Sequence, residues 1–126
     1  MRVLIIDDSR AMRSILRKIV EPLGFEVVEA GHGIEGLQRL SECPDTELAL
    51  VDWNMPEMNG IEFVKTLRND PLYDEIKLVM VTTETDPSQM ARALMSGVDE
   101  FVMKPFTREI LVGKLQLIGA LGPIAA

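Results

Sequence analysis

Three carboxylates, two hydroxyls and one ammonium stand directly after short apolar runs, and together these residue types suit metal-assisted phosphoryl chemistry. Asp7 and Asp8 follow Val3 to Ile6, Asp52 follows Leu48 to Val51, Thr82 and Thr83 follow Leu78 to Val81, and Lys104 follows Phe101 to Met103. Converging carboxylates without a cation would repel and raise one another's pKa, so a bound divalent ion is the natural resolution. Hard oxygen donors in a partly open site suit Mg2+. A hydroxyl and an ammonium facing the same point suit the oxygens of a phosphoryl group. Two uses stay open at this level. Asp52 can be a covalent nucleophile that accepts a phosphoryl group, with Mg2+, Thr82 and Lys104 holding its oxygens in the transition state. Alternatively, the cluster is a plain metal site for a bound substrate.

The elements that must position these residues are legible from apolar patterning. Val3 to Ile6, Val27-Val28, Leu48 to Val51, Leu78 to Val81 and Phe101 to Met103 are nearly continuous apolar runs rich in β-branched residues. Continuous apolarity marks strands buried on both faces, as in a parallel sheet covered by helices. Helical spacing fills the intervals. Met12, Ile15, Leu16, Ile19 and Leu23 follow the first strand, closed by Pro22 and Gly24. Ile34, Leu37 and Leu40 follow the second strand, and Ile61, Val64 and Leu67 the third. Asp86 reads as an N-cap with Pro87 at the first helical position and Gly97 at the end, and Thr107 opens a last helix to about Gly119. Five alternating strand and helix pairs predict a doubly wound α/β three-layer sandwich with a parallel five-stranded sheet. Its ligand site belongs beyond the carboxyl ends of the strands, where the polar residues stand.

Composition narrows the classes. The chain has 126 residues, 47% of them hydrophobic, which fits one domain over residues 1–121 with a loose tail at 122–126. A formal charge of -7 disfavours nucleic acid as a partner and accommodates bound cations. The single cysteine, Cys43, excludes an intramolecular disulfide, and no base near it in sequence marks it as a nucleophile. The four-residue apolar run before Asp7 is too short for a signal peptide, and no uncharged stretch approaches a membrane span. A cytoplasmic protein without membrane contact is expected. If nothing flanks the chain, any output must come from this domain's own surface.

Five motifs in order, each at a strand end, carry a family resemblance: Asp7-Asp8-Ser9, Asp52-Trp53-Asn54-Met55-Pro56, Asn59-Gly60, Val81-Thr82 and Lys104-Pro105-Phe106. From about Val3 to Ile118 the chain resembles the receiver domain of two-component response regulators, most nearly the single-domain chemotaxis type. The resemblance implies the strand order 2-1-3-4-5. It implies that Asp52 accepts a phosphoryl group from a phosphohistidine of a sensor kinase or histidine phosphotransfer protein. Asp7, Asp8, Asp52 and the backbone carbonyl of Asn54 would serve Mg2+. Thr82 would be the switch hydroxyl, Lys104 its cationic partner, and Pro105 would follow a cis bond. By the same resemblance the protein catalyses its own phosphorylation and dephosphorylation rather than acting as an enzyme on another substrate.

Two departures stand out. Phe101 occupies the aromatic switch position that is usually Tyr, and so has no hydroxyl to offer. Thr83 stands where the family has a small residue, and its bulk narrows access to the pocket. Asn54 and Glu84 match the chemotaxis type at the positions that tune hydrolysis, which implies a transient mark. Readout would use the last strand and last two helices, with a downstream protein as partner and a monomer or weak homodimer as the assembly. In the last helix Leu111, Leu115 and Ile118 share a core face, whereas Ile110, Leu117 and Leu121 form a second stripe that packs on the preceding helix or serves docking.

Taken singly, Asp7 and Asp8 read as helix caps and Lys104 as a solvated charge; only their joint occurrence at strand ends makes a site. His32, between two glycines, reads as an exposed loop residue, and Met55 and Met58 flank the site. The runner-up function is a Mg2+ phosphohydrolase of similar α/β fold. The haloacid-dehalogenase type would carry a D-x-D-x-T stretch where this chain reads Asp7-Asp8-Ser9-Arg10-Ala11. A phosphate-binding flavodoxin-like module is disfavoured because the first loop lacks a Gly or Thr cluster.

Overall fold

Strand and helix alternate five times along a computed structural model that describes residues 1–56 and 58–122. The strands are β1 (Arg2–Ile6), β2 (Glu26–Ala30), β3 (Leu48–Asp52), β4 (Lys77–Thr82) and β5 (Glu100–Met103). The helices are α1 (Arg10–Val20), α2 (Gly33–Glu42), α3 (Gly60–Arg68), α4 (Pro87–Ser96) and α5 (Arg108–Leu117). All pairings are parallel, and the sheet order is β2-β1-β3-β4-β5. Parallel neighbours need a crossover between them, and each crossover here is a helix.

The apolar runs are buried on both faces for the reason their continuity suggested. Leu4, Ile6, Ala49, Val51, Leu78 and Met80 face a core shared with Leu40, Phe63, Val64, Leu67 and Ala93, which belong to α2, α3 and α4. Alternate residues, Val3, Ile5, Leu48, Leu50, Val79 and Val81, face Leu16, Val20, Leu111 and Leu115 from α1 and α5. The result is three layers with the sheet in the middle.

Local chemistry sets the helix ends. The Ser9 hydroxyl accepts from the Met12 N–H and starts α1. Asn59 and Glu62 form a reciprocal capping box on α3, and Thr107 caps α5. Asp86 caps α4 with Pro87 behind it, and Gly97, at φ 116°, ends that helix in the left-handed region. Three details differ from the sequence expectation. The first helix gives way after Val20 to a 3-10 turn over Glu21–Leu23, because Pro22 has no N–H to continue the α pattern. The last regular helix stops at Leu117, two residues early, with Gly119 beyond it at φ 78°. His32 is not a free loop residue but the N-cap of α2, its Nδ1 accepting from the Glu35 N–H.

Register brings the site residues level. Ile6 pairs with Val51, Asp52 with Val81, and Thr82 with Met103, so Asp7, Asp52, Thr82 and Lys104 emerge along one rim. Of the tail expected over 122–126, residues 123–126 lie outside the described residues. Among the described residues no helix is long and apolar enough to cross a membrane.

Candidate functional site

The rim at the carboxyl ends of β1 and β3 holds three acidic residues. Carboxylate oxygens of Asp7, Asp8 and Asp52 lie within 4.8 Å of one another. Asp7 is 1% and Asp52 8% exposed, whereas Asp8 is open to solvent. Lys104 reaches between the buried pair, its Nζ 3.2 Å from Asp7 Oδ2 and 3.3 Å from Asp52 Oδ1. One ammonium is therefore shared by the two buried carboxylates, and the third, on Asp8, has no contact with it. Burial pushes the Asp52 carboxyl above the ordinary value of 3.8, the Asp7 charge adds to the rise, and Lys104 opposes it only in part. Hard oxygen donors, two of them walled off from water and short of positive charge, fit a divalent cation such as Mg2+.

The backbone around the cluster is tightly placed. Asp7 is pinned by its N–H to the Ala30 carbonyl at 3.1 Å and by its Oδ1 accepting from the Ser9 N–H at 2.8 Å. The Gly60 N–H donates to the Trp53 carbonyl at 2.9 Å, and a Cβ on Gly60 would lie 2.6 Å from the Asp52 carbonyl oxygen. Only glycine lets α3 start this close beneath the Asp52 loop. Met58 packs on Gly33 of α2, and Met55 also leans on the core, so both methionines line this loop.

Thr82 is 1% exposed, and its hydroxyl accepts from the Glu84 N–H at 2.9 Å. Glu84 turns toward its own loop: its Oε1 accepts from the N–H groups of Thr85 and Asp86. Thr83 and Asn54 are exposed at the mouth. The Lys104 N–H donates to the Thr82 carbonyl at 2.8 Å, tying the ends of β4 and β5, and the Lys104-Pro105 peptide is cis. The ring of Phe101, at the expected aromatic switch position, is buried within the core of α2, α3 and α4. The second apolar stripe at α5 and just beyond it divides: Leu121 is buried, but Ile110 is 49% and Leu117 72% exposed, and Leu94 and Met95 are also left open on α4. Lys114, between the two halves of that stripe, pairs with Glu100 instead.

One contributor carries no motif. Arg13 donates through Nη1 to the Asp7 carbonyl at 2.6 Å and through Nε to Glu29 at 2.9 Å. Nothing local in the sequence marks it, because its partners come from the ends of two neighbouring strands.

The description "Response regulator receiver domain" matches residues 3–116. The chain belongs to this family. The chain is 42% identical over 119 residues to chemotaxis protein CheY1 of Helicobacter pylori, covering 94% of this chain and 96% of that one. The chemotaxis protein CheY homolog of Campylobacter jejuni is 41% identical over 117 residues, covering 92% of this chain and 90% of the relative. Among solved structures, Vibrio cholerae chemotaxis protein CheY4 superposes with a TM-score of 0.87 at 33% identity, over 93% of this chain and 97% of that one. The molecule is thus a response regulator receiver domain with a CheY-like fold, and its acidic cluster fits the family's phosphoacceptor site. No enzymatic family emerges, so the phosphohydrolase alternative is without support.

Proposed function

We propose that this receiver domain is a phosphorylation switch of two-component signalling whose acceptor is Asp52. The observation that carries the reading is a nearly buried carboxylate at the end of β3, held ionisable beside Asp7 and Lys104 and under-neutralised by them. An Asp52 carboxylate oxygen attacks the phosphorus of a phosphohistidine, the P–N bond breaks, and the imidazole leaves with its electron pair and takes up a proton. Hydrolysis of the acyl phosphate returns the carboxylate and releases inorganic phosphate, both steps being assisted by the domain itself.

Asp7, Asp8, Asp52 and the Asn54 carbonyl are the groups that would hold Mg2+, which supplies positive charge against the phosphoryl oxygens when bound. Lys104 is placed to trade its contact with Asp52 for one with a phosphoryl oxygen. The Thr82 hydroxyl accepts from Glu84, so its own proton is available to donate. Turning toward the phosphoryl group exchanges the Glu84 bond for that one and frees the loop that leads into α4. Because Phe101 is already buried, the β4–α4 loop rather than the ring carries most of the change to the face of α4, β5 and α5. A downstream protein docks there, in a chemotaxis pathway or a related phosphorelay in the cytoplasm, with no nucleic acid or membrane involved. Thr83 narrows the mouth to phosphodonors, and Asn54 with Glu84 sets a short lifetime. The receiver domain spans residues 1–121 and acts as a monomer or weak homodimer.

Intact mass after incubation with acetyl phosphate and Mg2+ tests the reading. Wild type gains one phosphoryl mass and Asp52→Asn gains none. No gain by wild type, or equal gain by the variant, would falsify it.

A further inference from the structure

We infer that Arg13 is a positioning residue of the metal site, holding the Asp7-Asp8 peptide so that the exposed Asp8 carboxylate stays aimed at the cluster. The inference rests on the metal-site reading above. Asp7 has its own fixings: burial, the Ala30 carbonyl, the Ser9 N–H and Lys104. Asp8 has none of these. Its carboxylate makes no hydrogen bond or ion pair with any described residue, yet an oxygen of it stands within 4.8 Å of the Asp7 and Asp52 oxygens.

What directs the Asp8 side chain is therefore the backbone from which it projects. The plane of the Asp7-Asp8 peptide is set where the Asp7 carbonyl points, and that oxygen accepts from Arg13 Nη1 at 2.6 Å. Arg13 is itself anchored. Its Nε donates to Glu29 Oε1 at 2.9 Å, while Arg17, one turn along α1, holds the other oxygen of Glu29 at 2.7 Å. Arg39 adds a bond to the Glu29 carbonyl at 3.3 Å. The guanidinium fork suits this task, since one planar group spans the end of β2 and the turn after β1 at once. A metal ligand oriented by such an outer partner loses its aim when that partner goes.

Charge and position act with opposite sign here, which makes the inference testable. Arg13 brings positive charge near a cation site, so deleting a residue that acted by charge alone would tighten Mg2+ binding. Deleting a positioning residue weakens it. Arg17 supplies the control, because it shares Glu29 but makes no hydrogen bond to the Asp7 carbonyl, which Arg13 holds.

Isothermal titration with Mg2+ is run on the metal-free full chain of wild type, Arg13→Met, Arg17→Met and Arg13→Lys, with thermal melts alongside. We expect both Met variants to melt lower, Arg13→Met having lost its bonds to Glu29 and the Asp7 carbonyl and Arg17→Met its pairs with Glu29 and Glu21. Only Arg13→Met weakens Mg2+ binding, by about tenfold. Arg13→Lys, which keeps the charge but cannot span both partners, falls between, and it carries the test alone if Arg13→Met does not fold. Wild type that binds Mg2+ with unchanged or tighter binding in the Arg13 variants overturns the inference by itself, as does equal weakening in Arg17→Met. Wild type that takes up no Mg2+ removes the metal site and the inference together.

Discussion

The two ends of the sheet treat charge in opposite ways. At the amino end of β4 and β5, Arg68 donates to the carbonyls of Gly97, Tyr73, Asp74 and Ile76 and to Asp99, which in turn accepts from the Leu78 N–H. The cation there is saturated with partners. At the carboxyl end one ammonium is stretched between two buried carboxylates at 3.2 and 3.3 Å, with a third carboxylate close by. The first arrangement fastens α3 to the start of β4 and to the α4–β5 turn. The second leaves negative charge uncompensated and is complete only when another cation arrives. A charge that is fully met does structural work, and one that is left short is available for chemistry.

The contrast also runs within the carboxyl rim. Burial would raise the Glu29 carboxyl, but hydrogen bonds and charge from Arg17 and Arg13 outweigh it and hold the group below its ordinary 4.5. Asp52, on the same rim, is displaced upward.

Substitutions can break this comparison or sharpen it. The largest effect belongs to Arg68→Ala, which strands the partly buried carbonyls of Gly97, Tyr73 and Ile76; we expect a loss of about 3 kcal/mol in urea unfolding. Mg2+ affinity stays unchanged in that variant, and a change there would mean the two ends are not separate. Lys104→Met removes the one cation between Asp7 and Asp52, and we expect about 2 kcal/mol lost in metal-free buffer. Saturating Mg2+ recovers most of that loss in the same unfolding assay if the missing positive charge is its cause. Asp52→Asn has the opposite sign. By removing a buried charge that repels Asp7, it raises metal-free stability by about 1 kcal/mol, and a loss on the same scale would show that Asp52 is not strained.

Glu29→Gln gives the smallest effect, about 0.5 kcal/mol, and a definite pH dependence. A carboxyl held below its ordinary value in the fold contributes stability above that value and loses it as pH falls through the lowered one. The gap in melting temperature between wild type and Glu29→Gln is therefore present at neutral pH and closes as pH falls below 4.5. A gap that widens on acidification would contradict the Arg13 and Arg17 contacts.

Much of this was readable in the amino-acid order, for identifiable reasons. Leu48 to Val51 announced a strand covered on both faces, and Asp52 directly after it had to emerge at the ligand-binding rim. Asp86-Pro87 and Gly97 marked both ends of α4 through local backbone chemistry alone. What escaped depends on which elements become neighbours. Arg13 meets Glu29 across 16 positions and Arg68 meets Asp99 across 31, and no periodicity along the chain reports such pairings. His32 became a cap because its backbone is extended just before α2, a conformation its glycine neighbours permit but do not announce. The second stripe of α5 had two outcomes on paper. Exposure of Ile110 and Leu117, with Leu121 buried against the α1 and α5 core, divides it between them.

The central claim is that the under-neutralised carboxylate at the end of β3 is where the phosphoryl group goes, and chemical trapping addresses that position directly. Borohydride reduces an acyl phosphate to an alcohol, so treatment after acetyl phosphate and Mg2+ converts a phosphorylated aspartate to homoserine. Fragmentation of tryptic peptide 40–65 then distinguishes Asp52 from Asp45. We expect homoserine at position 52 alone. Homoserine at position 7, 8 or 45, or at none, would contradict the assignment.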